Sequence, residues 1–155
     1  MNALTVAPQI TAMSPASINH VRQLETFILA QEGRSIHALE THHLLHGGQY
    51  SRTIRIAGGV VIVGVLTKIP TTLILHGDVT MTTEEGSVRL CGYHVLSASA
   101  VRKQAFLMHS DTYLTMTFPT SALSVDEAER EMTDESDLLM SRHEGAVNHI
   151  IVTGG

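Results

Sequence analysis

The sequence predicts one mostly β domain, with a helix before the sheet and short helices after it. Its 155 residues, 43 % of them hydrophobic and 16 % charged, are enough to bury one sizeable core. From residue 49 to about 119, apolar residues alternate with polar ones or form short β-branched runs, separated by turns that Gly or Asp marks. Short strands at this spacing are typical of an antiparallel sandwich or barrel.

The N-terminal part is predicted to hold an extended arm over 1–13 and a helix over 14–33. Ser14 can cap the free N–H groups of the first turn, where Pro15 is tolerated, and Gly33 would end the helix. An apolar stripe recurs at helical spacing and could pack on the chain's own barrel or on a second subunit. It consists of Ile18, Val21, Leu24, Phe27 and Ile28.

The barrel itself is predicted over 45–120. It contains the alternating stretch "QYSRTIRI", the continuous β-branched run "GVVIVGVLTKI" and, after a kink at Pro70, "TTLILHGDVTMTT". The last of these is expected to break into two strands at a turn over residues 76–78, with His76 exposed. Further turns are expected at Glu85-Gly86 and at Ser110-Asp111.

Residues 121–155 are predicted to form an acidic helical segment and a final strand. Ser124 and Glu127 fit a capping box at the start of one helix, and Thr133 or Asp134 could begin a second. Eight of the 15 acidic residues lie between 126 and 144, and such runs usually form a solvated helix face. The stretch "VNHIIVTGG" could add one more strand.

Composition excludes several classes of protein. No apolar run approaches the ~20 residues of a membrane-spanning helix, and a chain with two lysines lacks the clustered basic surface that nucleic acid requires. The N-terminus has neither the positive charge nor the apolar region of a signal peptide, so an intracellular protein is expected. The single cysteine, Cys91, cannot form an internal disulfide and is expected in the core.

Several stretches together resemble a known family. A strand, then "LHGDV" (75–79), a hairpin and "LCGYHVLSA" (90–98) are similar to the cupin double-stranded β-helix, also called the RmlC-like jelly roll. The stretches "GGQYSRTIRIAGGVVIVG", "GDVTMTTEEGSVRLCGYHV" and "HSDTYLTM" resemble the small single-domain cupins of tailed phages. The resemblance spans about 45–120. It implies a cupin-like jelly-roll barrel, a phage-encoded origin, and a location in the cytoplasm of the infected host cell or in the virion.

The resemblance also indicates where a cupin metal would bind. Metal-dependent cupins supply two histidines and a glutamate from one motif and another histidine from a facing strand. The corresponding positions fall near Thr67, Ile69, Pro70-Thr71 and Gln104, and none of these can replace an imidazole or carboxylate. No metal and no other cofactor is therefore expected in the barrel.

Four histidines lie together in "HALETHHLLHGG", just before the barrel: His37, His42, His43 and His46. His42 and His46 would share one face of a helix, although Gly47-Gly48 makes a loop equally compatible with the segment. Glu40 is the nearby carboxylate, and no further ligand has suitable spacing. A polar surface or a pH-sensitive subunit interface is the favoured interpretation, with a metal site as the alternative.

A ligand site is expected at the barrel mouth. Alternation in "QYSRTIRI" places Tyr50 and Arg52 on a face that also carries two isoleucines, so Arg52 points inward if those isoleucines line the barrel. An inward arginine needs a carboxylate or an anionic ligand, and an ion pair with Asp78 or Asp111 is favoured over a ligand. The candidate ligand-binding residues are Tyr50, Arg52, Thr67, Gln104, His109 and Tyr113.

Three functions are compatible with this pattern. The favoured one is a non-catalytic, metal-free binding module for a small anionic or sugar- or nucleotide-like ligand, with sequestration of a host signalling molecule as one use. The second is a structural or assembly protein of the virion, and a homodimer or larger homo-oligomer is expected. The third is a metal-independent epimerase in which an inward-facing His109, with Asp111, is the base and Tyr113 the acid.

Overall fold

The computed structural model describes residues 9–31 and 39–154, and strands dominate these ranges. In chain order the elements are α1 (Pro15–Ala30), β1 (Glu40–His46), β2 (Gln49–Ile56), β3 (Val61–Val63), β4 (Thr71–Thr83), β5 (Gly86–Ala98), β6 (Ala105–Met108), β7 (Thr112–Pro119), α2 (Val125–Met132) and β8 (Val147–Thr153). Two short 3₁₀ turns, Ser136–Leu138 and Met140–Arg142, lie between α2 and β8. The predicted all-β domain with an N-terminal helix and short C-terminal helices is confirmed.

The eight strands form one curled sheet in the order β3-β6-β4-β7-β2-β1-β8, with β5 paired to β4. β4 connects the two halves of the sheet, because residues 72–76 pair with β7 whereas residues 79–81 pair with β6. The inward-facing side chains of both halves meet in the main hydrophobic core, which includes Leu75, Val79, Met81, Leu96 and Met108. The curl therefore encloses the space in which a ligand could bind.

β4 runs without interruption through residues 76–78, so the turn predicted there is wrong. Gly77 pairs with Gly92 of β5 and has a φ of +153°, which L side chains rarely adopt. A Cβ on Gly77 would lie 2.8 Å from the Cα of Thr112, so β4 packs directly on β7 at this point. The Gly-Asp pair marks the place where β4 passes from one half of the sheet to the other. His76 is exposed, as expected.

α1 lies against the chain's own sheet. Ser14 caps the helix by accepting a backbone N–H of the first turn, as predicted, and Val21 is buried with Met13 and Ala105. The far end of the apolar stripe is less covered, since Phe27 is 63 % exposed. Within the described ranges, neither helix has the length and apolar character that crossing a bilayer would need.

The C-terminal segment packs on the inner face of β2 and β7. The side chain of Ser124 accepts the N–H of Glu127, which confirms the predicted cap of α2. The two 3₁₀ turns occupy the place of the second predicted helix, and Leu139 between them is buried with Met132 of α2. The predicted last strand is present as β8, which pairs in parallel with β1.

The histidine-rich segment is strand β1, rather than a helix or a loop. Its residues alternate, so that His43 is buried while Glu40, His42 and His46 are exposed on the outer face. His37, like Gly33 and the first eight residues of the predicted arm, lies outside the described residues. Cys91 is exposed on β5, which corrects the expectation that it lies in the core.

Candidate ligand site in the barrel

A cavity of about 140 Å³ lies inside the curled sheet, next to the C-terminal segment. Its walls are mainly apolar, and α2 and the 3₁₀ turns contribute the side opposite the strands. Three of the predicted ligand-binding residues line the cavity: Arg52, Thr67 and Gln104. Arg102 lines it as well. Two arginines, one glutamine and one threonine therefore line an otherwise mainly apolar space.

Arg102 is the most unusual of these residues, because its side chain is charged and only 4 % exposed. Its guanidinium donates to the backbone oxygens of Ser99 at 2.7 Å and Ile69 at 3.3 Å. It also donates to Thr71 Oγ1 at 2.6 Å and, weakly, to Met116 Sδ. Burial lowers the pKa of Arg102 to about 10, so the guanidinium remains charged at neutral pH.

All four acceptors of Arg102 are electrically neutral. No carboxylate in the described part of the chain forms an ion pair with it. A buried cation without a counter-ion is costly, since hydrogen bonds to neutral oxygens replace only part of its hydration. The cavity beside Arg102 is therefore a favourable place for an anion.

The backbone that carries Arg102 is strained. Thr67 and Arg102 form an isolated antiparallel bridge, in which the N–H of each donates to the oxygen of the other at 2.8 and 3.1 Å. The preceding residue, Val101, has a φ of +64°, a conformation that costs a β-branched residue on the order of 1–2 kcal/mol. The bridge and the strained residue together direct Arg102 into the core, and strain of this kind is concentrated at functional sites.

Arg52 points inward, as predicted, but neither predicted aspartate is its partner. Its Nη1 donates to Glu129 Oε2 of α2 at 2.7 Å, and its Nη2 donates to Ser141 Oγ at 2.7 Å. Arg142 approaches the other oxygen of Glu129 at 3.2 Å. The acidic run is thus not only a solvated helix face, because its Glu129 is buried and attaches α2 to β2.

The two aspartates expected to pair with Arg52 bind other arginines on the outer surface. Asp78 Oδ2 lies 2.8 Å from Arg89 Nη2, and this hydrogen bond holds the pKa of Asp78 below its usual value. Asp111 accepts the N–H of Gly58 and a hydrogen bond from Arg55, and these lower its pKa. The alternation of the sequence correctly predicted that the Arg52 side chain points inward, but it could not identify the carboxylate that pairs with it.

Tyr50 is fully buried, in the hydrophobic cluster beside the cavity. Its hydroxyl is 2.7 Å from His43 Nδ1, and His43 Nε2 is 2.7 Å from Asn148 Oδ1. Burial raises the pKa of Tyr50 to about 12 and lowers the pKa of His43. A neutral His43 that accepts from Tyr50 and donates to Asn148 satisfies all three groups. Tyr50 thus joins β2 to β1 and β8.

His109 and Tyr113 lie on the outside of the barrel, which corrects the prediction that they face inward. His109 is exposed, and its Nε2 is 2.7 Å from Thr80 Oγ1. Tyr113 is 47 % exposed, whereas Thr112 and Leu114 on either side of it point inward. His109 and Asp111 bind different partners, and the structure does not bring them together as an acid–base pair.

The lining of the cavity does not fit the metal that metal-dependent cupins bind. No histidine, cysteine or carboxylate lines the cavity within residues 9–31 and 39–154. A divalent transition metal requires such ligands, and guanidinium groups offer it no lone pair. The lining of the barrel therefore offers positively charged and neutral polar side chains rather than metal ligands.

Sequence reasoning missed Arg102 and Glu129, for different reasons. Arg102 precedes Lys103 and Gln104 in "VRKQAF", and two adjacent cations usually indicate an exposed turn. Glu129 had a usable signal, because α2 places it on the same helix face as its apolar residues at 125, 128 and 132. A carboxylate on an apolar helix face indicates a buried ion pair.

Comparisons with known proteins show a distant similarity to solved structures only. No family model matches the sequence, and no curated protein matches it. Several solved structures do. A cupin superfamily protein from Desulfitobacterium hafniense is 15 % identical, with 76 % of this chain and 100 % of that chain covered and a TM-score of 0.44. The Cnp3 cupin domain of Schizosaccharomyces pombe is also 15 % identical, with 66 % and 82 % covered and a TM-score of 0.44.

A cupin-2 domain protein from Shewanella frigidimarina is 9 % identical, with 63 % of this chain and 91 % of that chain covered and a TM-score of 0.39. With its curled sheet, its N-terminal helix and its C-terminal 3₁₀ turns, the chain has the cupin-like fold that the sequence predicts.

Proposed function

We propose that this chain is a non-catalytic ligand-binding protein of cupin-like fold, which holds a small organic anion in the barrel cavity with Arg102 as its charged partner. The main support is the burial of the Arg102 guanidinium among neutral acceptors. A bound carboxylate would offset the cost of that burial, and the planar guanidinium suits it. Arg52 lines the same cavity, but Glu129 already balances its charge, so Arg102 is the cation without a counter-ion there.

The size and the walls of the cavity favour a short-chain carboxylate. About 140 Å³ is close to the roughly 150 Å³ of an apolar cavity that binds benzene, whereas pockets for larger ligands begin at roughly 300 Å³. Phe106 and Leu114 would surround an apolar end, with Thr67 and Met116 near the polar end beside Arg102. A compact anion of about six non-hydrogen atoms fits this space better than a nucleotide does.

Butyrate and butyramide test this proposal, because they have nearly the same shape and only butyrate is charged. At a butyrate concentration 100 times Kd, binding stabilises the folded state by about 2.7 kcal/mol, which for a chain of this size raises Tm by about 5–10 °C. Butyramide should raise Tm by less than ~1 °C. Differential scanning calorimetry and isothermal titration calorimetry measure both effects. Equal responses to the two compounds, or none to butyrate, would refute the role given to the charge.

Variants locate the site. Arg102→Gln should abolish the response to butyrate while the far-ultraviolet circular dichroism spectrum stays that of a folded protein. Arg55→Gln, which changes an arginine on the outer surface, should leave the response unchanged. If Arg102→Gln does not fold, Arg102→Lys keeps the charge but loses the planar fork, and should weaken butyrate binding by ~10-fold. Unweakened binding in Arg102→Lys would place the anion elsewhere.

A second candidate function is structural, and one observation favours it. β8 is an edge strand of the sheet, all seven of its residues are exposed, and they include Val147, Ile150, Ile151 and Val152. An exposed apolar edge strand is a typical surface for self-association. Sedimentation that depends on protein concentration, together with no response to butyrate, would favour a homo-oligomeric assembly protein. A phage origin, a cytoplasmic or virion location and sequestration of a signalling molecule stay predictions.

A further inference from the structure

Three side chains with metal-binding atoms converge on the outer face of the sheet, on the far side from the cavity. Glu40 and His42 are two residues apart on β1, so both point outward. His149 of β8 pairs directly with His42 in the parallel ladder and lies beside it. Among the residues that the structure describes, this is the one group of three such side chains whose donor atoms all lie within 4.8 Å of one another.

The distances within this group are close to those of a coordinated metal. Glu40 Oε1 lies 3.2 Å from His42 Nε2 and 2.8 Å from His149 Nε2. The two imidazole rings are stacked, with centroids 4.5 Å apart and planes 14° apart. Tetrahedral zinc with bonds of about 2.0–2.1 Å places its ligand atoms roughly 3.3 Å apart. Because all three side chains are exposed, rotation about their χ angles can aim the three donor atoms at one ion.

We propose that Glu40, His42 and His149 form a surface site for a divalent transition metal of the zinc class. Two imidazole nitrogens and one carboxylate oxygen are a ligand set that zinc uses, and it leaves a coordination position for water. Each side chain is about half exposed, so a metal can reach the site from solvent. The site is separate from the barrel interior, whose lining offers no such ligands.

The site also has a mechanical consequence, because it joins two strands. β8 is the edge strand, pairs only with β1 among the named strands, and buries none of its residues. A metal held by two ligands from β1 and one from β8 would cross-link the C-terminal strand to the sheet. Metal binding would then stabilise β8 more than the rest of the fold, since a ligand stabilises the state that contains its site.

Zinc titration of the tag-free protein tests the site directly. Isothermal titration calorimetry with ZnCl₂ should give one site per chain, and His149→Gln should weaken it by more than ~10-fold, since even an outer partner of a metal ligand is worth 10–100-fold. His46→Gln is the matched control. His46 lies on the same strand and the same outer face and contacts Thr153 of β8, but does not belong to the group. Its affinity for zinc should be unchanged.

Hydrogen exchange gives a second readout that does not depend on affinity. Zinc should slow amide exchange in residues 147–153 of the unsubstituted protein and of His46→Gln, but not of His149→Gln. Zinc binding that survives His149→Gln, or that is lost in His46→Gln, would overturn the assignment of ligands. Slower exchange throughout the sheet, rather than in β8, would overturn the proposed cross-link. Neither result bears on the cavity, so this proposal and the butyrate proposal can fail independently.

Discussion

Replacing Glu129 with glutamine should destabilise the protein by about 3–5 kcal/mol, because it leaves a buried arginine without its carboxylate. Arg52 Nη1 lies 2.7 Å from Glu129 Oε2, and the two side chains are 10 % and 6 % exposed. Water cannot easily reach the buried guanidinium of Arg52 to solvate it after the carboxylate is removed. Arg142 loses less, since it is more exposed and keeps Asp126 at 2.6 Å. Most of the cost therefore falls on Arg52.

Urea and thermal unfolding, followed by circular dichroism, measure this cost. A loss of about 3–5 kcal/mol corresponds to a fall in Tm of roughly 6–20 °C for a chain of this length. The control is Asp134→Asn, which breaks the 2.6 Å ion pair with Lys68 where Asp134 is 85 % exposed. Exposed pairs contribute little, so the control should lose less than ~1 kcal/mol.

The double substitution Arg52→Met with Glu129→Leu separates the charge from the packing. It removes both charges of the pair, so no buried guanidinium is left without a partner at position 52, and it should recover most of the stability that Glu129→Gln loses. If Glu129→Gln costs no more than Asp134→Asn, the account of a buried ion pair that holds α2 on β2 is wrong.

Two further predictions concern local packing and protonation. Gly77→Ala should lower the free energy of unfolding, measured in urea, by about 2 kcal/mol or more, because its Cβ would lie 2.8 Å from the Cα of Thr112. Gly64→Ala is the control: its Cβ would make only an ordinary van der Waals contact, and the loss should be less than ~1 kcal/mol. The pKa of His43 is lower in the folded protein, so the unfolded state binds its proton first. Stability should therefore be full above pH ~6.5 and fall below it, by ~1.4 kcal/mol per unit of pKa difference. His43→Leu should remove that part of the pH dependence, and an unchanged slope would contradict a neutral buried imidazole.

Most secondary structure was accessible from local patterns in the sequence. The caps at Ser14 and Ser124 were predicted correctly because capping depends on residues within one turn of the helix. The inward face of β2 was predicted because side chains alternate along a strand. The prediction failed at Gly77, since a Gly-Asp pair suits either a turn or a bend in a long strand. The close approach of β7, which decides between them, does not appear in the local sequence.

The candidate site was predicted less completely than the fold. Arg52, Thr67 and Gln104 do line one cavity, and the alternation and the cupin resemblance together were sufficient to select them. The prediction for Tyr113 was wrong because the short loop before β7 sets which residues of that strand face inward, and His109 lies in that loop rather than on the strand. If the inward–outward alternation of a strand shifts by one residue, every side chain on that strand changes its orientation.

Local patterns were enough to predict the all-β class, the helix before the sheet and the inward direction of Arg52, because periodicity and capping act over a few neighbouring residues. The three-dimensional fold was needed to show that Glu129, 77 residues further along the chain, is the acid that meets Arg52. It alone decided that Arg102 is buried beside a cavity among neutral acceptors, and that His149 joins His42 on the outer face. These pairings depend on how distant strands and helices meet, and the pairing energy comes from burial and charge at contacts that no local pattern encodes.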